Sequence, residues 1–261
     1  MGRGRSGSRA RLPRERDVDR WQEAWETWDA GNSRSENAQK FVDDFAGDFD
    51  VTDAEEQVLY KSWADDGHPS GYIKTGNSFR INEKFYDPKN DGKTLEELFP
   101  RTDRNGTKID IRTIRTMDKV IAQNTTKRNA IFTRYTTDNA LKSVFGFTEE
   151  QVDDIVRYAF TGQDDKLREI SEGFKGRTSY SKSYTSTSAN KHANVFQHQT
   201  FERRIYVPEG TNAFACKKNP VESETVFGRG MKTSLMKITH EGDHIVLHEY
   251  MEGYDTRKLP K

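Results

Sequence analysis

The chain has 261 residues, room for one large domain or two small ones. Its 42 Lys and Arg balance its 42 Asp and Glu, which excludes a uniformly basic nucleic-acid binder but leaves room for a local basic patch. The aromatic share of 11% speaks against wholesale disorder, no run approaches the roughly 18 apolar residues that cross a bilayer, and the single cysteine, Cys216, excludes an internal disulfide.

Residues 1–16 hold six arginines (Arg3, Arg5, Arg9, Arg11, Arg14, Arg16) against one acid, Glu15, and no apolar stretch follows. This reads as a flexible basic arm and not as a secretory signal. The protein is therefore expected to act in a cytosol, its own cell's or that of a target cell after delivery, without a membrane span. The arm is either a solvated tail or a contact for nucleic acid or another polyanion. Trp21, Trp25 and Trp28 recur at i, i+4 and i+7, one face of a helix that either docks on the body or offers a partner a binding stripe. Ala38, Phe41, Val42 and Phe45 suggest a second helix, and residues 47–50 a linker. The expected division is an arm over 1–16, Trp-striped helices over 17–50 and one main domain over 51–261, with a monomer expected.

Thr52 followed by Glu55 is a capping-box signature, opening a helix through Val58, Leu59 and Trp63 that Asp65-Asp66-Gly67 would end. Residues 87–107 are rich in turn dipeptides around a short segment at 95–98. Ile111, Ile114, Met117 and Ile121 carry helical spacing, and Thr148 with Gln151 opens another helix ahead of Val152, Ile155, Val156 and Ala159. The runs 131–135, 182–188, 201–207, 212–216, 224–227, 233–238 and 244–250 read as short strands. Helices first and strands afterwards predict an α+β fold, and the absence of a GxGxxG run leaves a Rossmann dinucleotide site unsupported.

Two patterns are decoys. His240-Glu241-Gly242-Asp243-His244 fits a zinc-protease pattern that requires a helix, whereas Gly242-Asp243 between two strand-like runs predicts a hairpin turn and no metal site. Cys216, alone in a strand, reads as a small buried hydrophobe before it reads as a nucleophile.

Three blocks carry chemistry together: Arg134 inside the 131–135 strand, the hydroxyl-rich 184–188, and 222–230 with Glu222 and Glu224. On a strand Ser186 and Ser188 share a face with Thr187 opposite, and an extended 222–224 projects both glutamates the same way. An arginine fork suits a phosphate. One carboxylate can stabilise an oxocarbenium and hold a ribose hydroxyl, and a second can orient an incoming nucleophile. The set suits cleavage of an N-glycosidic bond in a phosphorylated nucleotide.

In these blocks the chain resembles the Arg–Ser–Glu class of mono-ADP-ribosyltransferases, which includes binary toxins, exoenzymes and phage enzymes. The match rests on Arg134, Ser186-Thr187-Ser188 and the run from Glu222 to Gly230, although Thr133 stands where the class usually has a tyrosine. Gly71-Tyr72 and Ile81-Asn82 are similar to the helical lead-in of the exoenzymes. The resemblance implies a helical N-terminal part on a mixed two-sheet β-sandwich with a cleft for NAD as co-substrate. It implies that Arg134 grips the pyrophosphate, that Ser186 positions Glu224, and that Glu224 holds the nicotinamide ribose as nicotinamide leaves. Glu222 would face a protein acceptor, with glutamate there implying arginine, and Lys218 and Pro220 would lie in the acceptor-recognition loop. Thr187, Ser188, Asn190 and Lys191 would line the cofactor, with Asn190 and Lys191 in a closing loop over 189–199. Gly228-Arg229-Gly230 would be a structural turn. The alternatives are an NAD glycohydrolase, a transferase acting on nucleic acid through the arm, and an inactive structural or packaging module.

Overall fold

The computed structural model describes residues 19–21, 34–46, 49–60, 67, 70–73, 77–190, 196–217, 220–257 and 259–260. The arm over 1–16, Trp25, Trp28, Trp63, Lys191 and Lys218 lie outside these described residues.

Ahead of the first strand lie the helices α1 (Arg34–Phe41), α2 (Asp53–Leu59), α3 (Asn77–Tyr86), α4 (Leu95–Leu98) and α5 (Ile109–Gln123). Thr52 and Glu55 form the capping box that starts α2, and Thr94 with Glu97 does the same for α4. The α2 helix ends at Leu59, earlier than the sequence spacing suggested, where Tyr60 takes an extended backbone. The α1 helix widens into a π turn over Val42–Ala46, which turns Phe45 and Ala46 inward. The apolar stripe of α5 buries Ile111, Ile114, Met117 and Ile121. At the end of α5 the side chain of Asn124 clamps residue 50, accepting from the Asp50 N–H at 2.7 Å and donating to its carbonyl at 3.2 Å.

The strands are β1 (Ala130–Thr136), β2 (Thr178–Ser181), β3 (Thr185–Ser188), β4 (Phe201–Val207), β5 (Phe214–Ala215), β6 (Glu224–Phe227), β7 (Met231–Glu241) and β8 (His244–Tyr254). Between β1 and β2 come α6 (Glu149–Phe160), opened by the Thr148–Gln151 capping box, and α7 (Asp164–Phe174). Helices and strands are thus interleaved at this point, and not strictly sequential. The α7 helix and the β2 strand carried no clear sequence signal. Residues 182–188 were expected as one strand, yet only Thr185–Ser188 extends, because Gly230 N–H binds the Ser181 carbonyl at 2.8 Å and the chain turns before β3.

The eight strands form one sheet in the order β2-β7-β8-β4-β1-β3-β6-β5, where the two-sheet sandwich expectation placed a break. Only the β4–β8 pair is parallel. The β1 strand pairs with β4 along its whole length, from Ala130↔Val207 to Thr136↔Phe201. It meets β3 only at Thr133↔Ser188. The sheet is continuous there, but a single residue pair joins its two parts.

The helices α1 to α5 bury Phe41, Leu59, Ile81 and Ile114 in one core with Phe132 and Phe227 of the sheet. The α6 and α7 helices build a second core, with Ile155 and Leu167 against Leu235 and Leu247. Trp21 joins a third, small cluster, its ring 6.2 Å from Tyr206 and 6.4 Å from Tyr250. No helix among the described residues is long and apolar enough to cross a membrane.

Candidate active site at the β1–β3 junction

The short strand β3 sets out its hydroxyls by alternation. Ser188 pairs with Glu224 and Ser186 with Val226, so Ser186, Ser188 and Glu224 share a face. The Ser186 hydroxyl donates to Oε1 of Glu224 at 2.6 Å. The other oxygen, Oε2, is buried and has no hydrogen-bond partner among the described residues. A buried carboxylate oxygen left open is costly unless a donor from outside meets it. Thr187 points the other way and spends its hydroxyl on the Thr225 carbonyl at 2.8 Å, which ties β3 to β6.

Glu222 is not on an extended strand with Glu224, as the sequence spacing suggested. It ends a single helical turn, Pro220–Glu222, and Ser223 then takes φ +48° before β6 begins. Left-handed backbone is unfavourable for serine, so the surroundings must hold it there. They do so through the Ser223 N–H to the Pro220 carbonyl at 2.9 Å and the Ala189 N–H to the Ser223 carbonyl at 3.0 Å. Ser188 fastens the same turn, its hydroxyl lying 2.9 Å from the Glu222 carbonyl and 2.7 Å from that of Asn190. Glu222 therefore sits half-buried on a turn pinned to the end of β3, beside but not in line with Glu224. Asn190 is buried directly after the strand.

Arg134 supplies the cation. Its Nη1 crosses the β1–β3 junction to donate to the Ser186 carbonyl at 2.7 Å. Burial first, and then the nearby charge of Arg203, lower its pKa from the ordinary arginine value. Three other buried arginines, Arg203, Arg204 and Arg229, are ion-paired. Arg203 forms a two-point pair with Glu249 at 2.6 and 2.7 Å, Arg204 pairs with Glu202 and Glu241, and Arg229 pairs with Asp118. Arg134 has no ion pair among the described residues, so its charge is available to an incoming anion. Thr133, where a tyrosine was expected, is fully buried at the β1–β3 junction, its hydroxyl 3.4 Å from the Ser188 carbonyl.

Two further side chains reach this cleft without having been singled out as site residues. The phenol of Tyr72 accepts from Nδ2 of Asn82 at 3.1 Å. Its pKa is raised, chiefly by burial, and the charges of Arg134 and Glu224 both act on it. Oδ1 of Asn82 is, like Oε2 of Glu224, buried without a partner among the described residues. Both residues belong to the helical lead-in, and spacing alone did not separate them from ordinary helix-packing positions.

The remaining candidates have structural places. Cys216 is fully buried, and its N–H binds the Glu224 carbonyl at 2.9 Å. Arg229 is held by Asp118, which also accepts from Tyr184 Oη at 2.6 Å. Gly230, at φ +81°, leaves no room for a Cβ, which would lie 2.5 Å from the Asp255 carbonyl oxygen. His240 and His244 lie on opposite strands of the β7–β8 hairpin, with Glu241 paired to His244 across the turn. That arrangement lacks the helix the zinc pattern requires.

Residues 72–251 match the ADP-ribosyltransferase exoenzyme family. Solved structures share the fold at low identity. The structure of C3stau2 from S. aureus with NAD is 16% identical, with a TM-score of 0.58 over 84% of this chain and 93% of that one. The Clostridium limosum C3 exoenzyme is 18% identical, with a TM-score of 0.57 over 85% of this chain and 95% of that one. The structure of BECa, from a binary enterotoxin of C. perfringens, with NADH is 17% identical, with a TM-score of 0.51 over 90% of this chain and 48% of that one. No curated protein sequence matches the chain.

Proposed function

The chain belongs to the ADP-ribosyltransferase exoenzyme family, and from that premise we propose that it cleaves NAD at the nicotinamide–ribose bond and transfers ADP-ribose to an arginine of a protein. The observation that carries this reading is the division of labour on Glu224. One oxygen is fixed by Ser186 at 2.6 Å, and the other is buried and open. That open oxygen is placed to accept from a ribose hydroxyl and to face positive charge developing at the anomeric carbon as nicotinamide departs. Arg134, which has no ion pair among the described residues, takes the pyrophosphate. Asn190, buried directly after β3, supports its reading as a cofactor contact.

Glu222 stands apart from this cleavage machinery. Held on its own turn, it serves to orient the acceptor guanidinium and receive its proton, with Pro220 and Lys218 in the loop that meets the acceptor protein. Its identity as glutamate supports arginine as the acceptor. The ordered contact between Ser186 and Glu224 weighs against an inactive structural module.

The test is Glu222→Ala, assayed with labelled NAD and polyarginine. Transfer to polyarginine is expected to fall at least about a hundredfold while slow release of nicotinamide persists, since only the second step uses this residue. Loss of both reactions together would place Glu222 in the cleavage step and overturn this assignment. Nicotinamide release by the wild type without any labelled arginine would instead mark a glycohydrolase or a transferase to another acceptor.

A further inference from the structure

Glu222 belongs to the hairpin connection between β5 and β6, and the root of that connection is tied to the helical N-terminal part. The β5 strand pairs with β6 at Phe214↔Val226 and Ala215↔Thr225, and the Cys216 N–H extends the ladder to the Glu224 carbonyl at 2.9 Å. Lys217 is the next residue, the first off this ladder. Its half-buried side chain turns away from the hairpin, and Nζ donates to the Phe49 carbonyl at 2.9 Å. That carbonyl is a fixed point. The Phe49 side chain is buried in the core of the N-terminal helices, and Asn124 clamps both backbone groups of Asp50, the residue after it. Asn124 is itself held, its Nδ2 donating to the Val120 carbonyl at 2.8 Å. Its own carbonyl accepts from the Ala213 N–H at 3.2 Å, one residue ahead of β5. The contacts thus close a ring, from Asn124 through residues 50 and 49 to Lys217 and back along β5 to Asn124. The α1 helix packs against the Pro220–Glu222 turn as well.

We propose that Lys217 is a positioning residue for the transfer step: its bond to the Phe49 carbonyl fixes the root of the hairpin connection and with it the place of Glu222. This rests on the reading above that Glu222 serves the acceptor, and it adds a residue to that step. The far end of the connection is pinned by the Ser188 hydroxyl at the Glu222 carbonyl and by the Ala189 N–H at the Ser223 carbonyl. Lys217 pins the near end, through a charged donor, which makes the stronger class of hydrogen bond. Glu224 does not depend on this support. It lies on β6 opposite Ser188, and its bond to Ser186 runs across two strands. Loss of the Lys217 bond therefore loosens Glu222 and leaves Glu224 in place. A carboxylate that must meet an acceptor guanidinium within hydrogen-bond reach is sensitive to such loosening, since a displacement of about 1 Å can cost roughly a hundredfold in rate. Charge gives the opposite sign. A lysine beside the acceptor repels a cationic polymer, so removing it as a mere surface charge would strengthen polyarginine binding, whereas removing a positioning contact lowers transfer.

The experiment compares the full chain with Lys217→Met, which keeps the apolar stem and removes the donor, and with Lys217→Arg, which keeps a charged donor. Lys217→Gln runs beside them as a second neutral variant, so that poor folding of one does not decide the result. Labelled NAD and polyarginine give kcat and KM for transfer, and nicotinamide release without acceptor gives the cleavage step. In Lys217→Met and Lys217→Gln the kcat for transfer is expected to fall about tenfold or more, with nicotinamide release within about twofold of the wild type and with Lys217→Arg recovering most of the transfer. Transfer by the neutral variants at the wild-type kcat, with KM for polyarginine unchanged or lowered, would reduce Lys217 to a surface charge and overturn the proposal. A parallel loss of transfer and nicotinamide release would make Lys217 a general support of the fold and overturn it too, as would failure of arginine to restore transfer. Nicotinamide release by the wild type with polyarginine unlabelled would overturn the arginine reading itself, and this inference with it.

Discussion

The Ser186 hydroxyl donates to one oxygen of the Glu224 carboxylate at 2.6 Å and leaves the other oxygen open in a buried cleft. A carboxylate fixed at one end is oriented before any ligand arrives, which lowers the cost of aligning it when charge develops. The bond is made across two neighbouring strands, between β3 and β6, and its geometry follows from the register that sets Ser188 opposite Glu224.

Ser186→Ala should leave the fold intact and loosen Glu224. A hydrogen bond to a charged acceptor contributes roughly 1.5–3 kcal/mol, so kcat for NAD cleavage is expected to fall about 10- to 100-fold. Steady-state kinetics with circular dichroism as the folding control checks this. An unchanged kcat would mean that Glu224 is oriented by other groups.

The turn between the two glutamates is the site's strained element. Ser223 sits at φ +48° with its side chain fully buried. Glycine tolerates that backbone, so Ser223→Gly is expected to stay within about 1 kcal/mol of the wild type. Ser223→Val, β-branched and without the hydroxyl, should lose more than about 2 kcal/mol and lose transfer activity as the turn shifts Glu222. Urea unfolding curves of the two variants separate these outcomes, and equal stabilities would contradict the strain argument.

Acid sensitivity is built into the buried face between β4 and the β7–β8 hairpin. His248 is buried between Tyr206 Oη, 3.1 Å from Nδ1, and Thr239 Oγ1, 3.0 Å from Nε2, with Glu241, Arg204 and Lys237 as its charged neighbours. Burial, with Arg204 and Lys237 adding to it, pushes its pKa below the ordinary histidine value of 6.5, against the opposing pull of Glu241. The unfolded chain therefore binds a proton at this residue more readily than the folded protein does. Stability should be highest above the unfolded pKa and fall as pH drops from 6.5 toward the depressed folded value. Thermal unfolding from pH 8 to pH 5 reads this slope, and His248→Gln should flatten it. A wild-type curve that is level over this window would contradict the assignment.

Much of this architecture was legible in the sequence because local chemistry and tertiary structure agree there. The Thr52–Glu55 and Thr148–Gln151 capping boxes begin helices, and β4 and β6 fall on the runs their composition marked. Ser186, Glu224 and Arg134 could be listed from spacing and resemblance, and the fold brings them together at the one pair where β1 touches β3. What was not legible depends on distant partners. The extended reading of residues 222–224 fails because Pro220 and Ala189 capture Ser223 in a left-handed turn. All seven residues of β4 are buried, including Glu202, Arg203 and Arg204, because carboxylates on β4 itself, β7 and β8 neutralise the arginines. The α7 helix hides behind a polar surface, and one of its buried contacts is a serine, Ser171, whose hydroxyl accepts from the Ile238 N–H at 2.7 Å.

The role of Glu224 in NAD cleavage is read by measuring nicotinamide release from NAD by the wild type and by Glu224→Gln, a change that keeps the shape and removes the charge. The wild type should release nicotinamide measurably and the variant should lose at least about a thousandfold, the scale expected when the main electrostatic stabiliser of a transition state is removed. Turnover by Glu224→Gln equal to that of the wild type would contradict it.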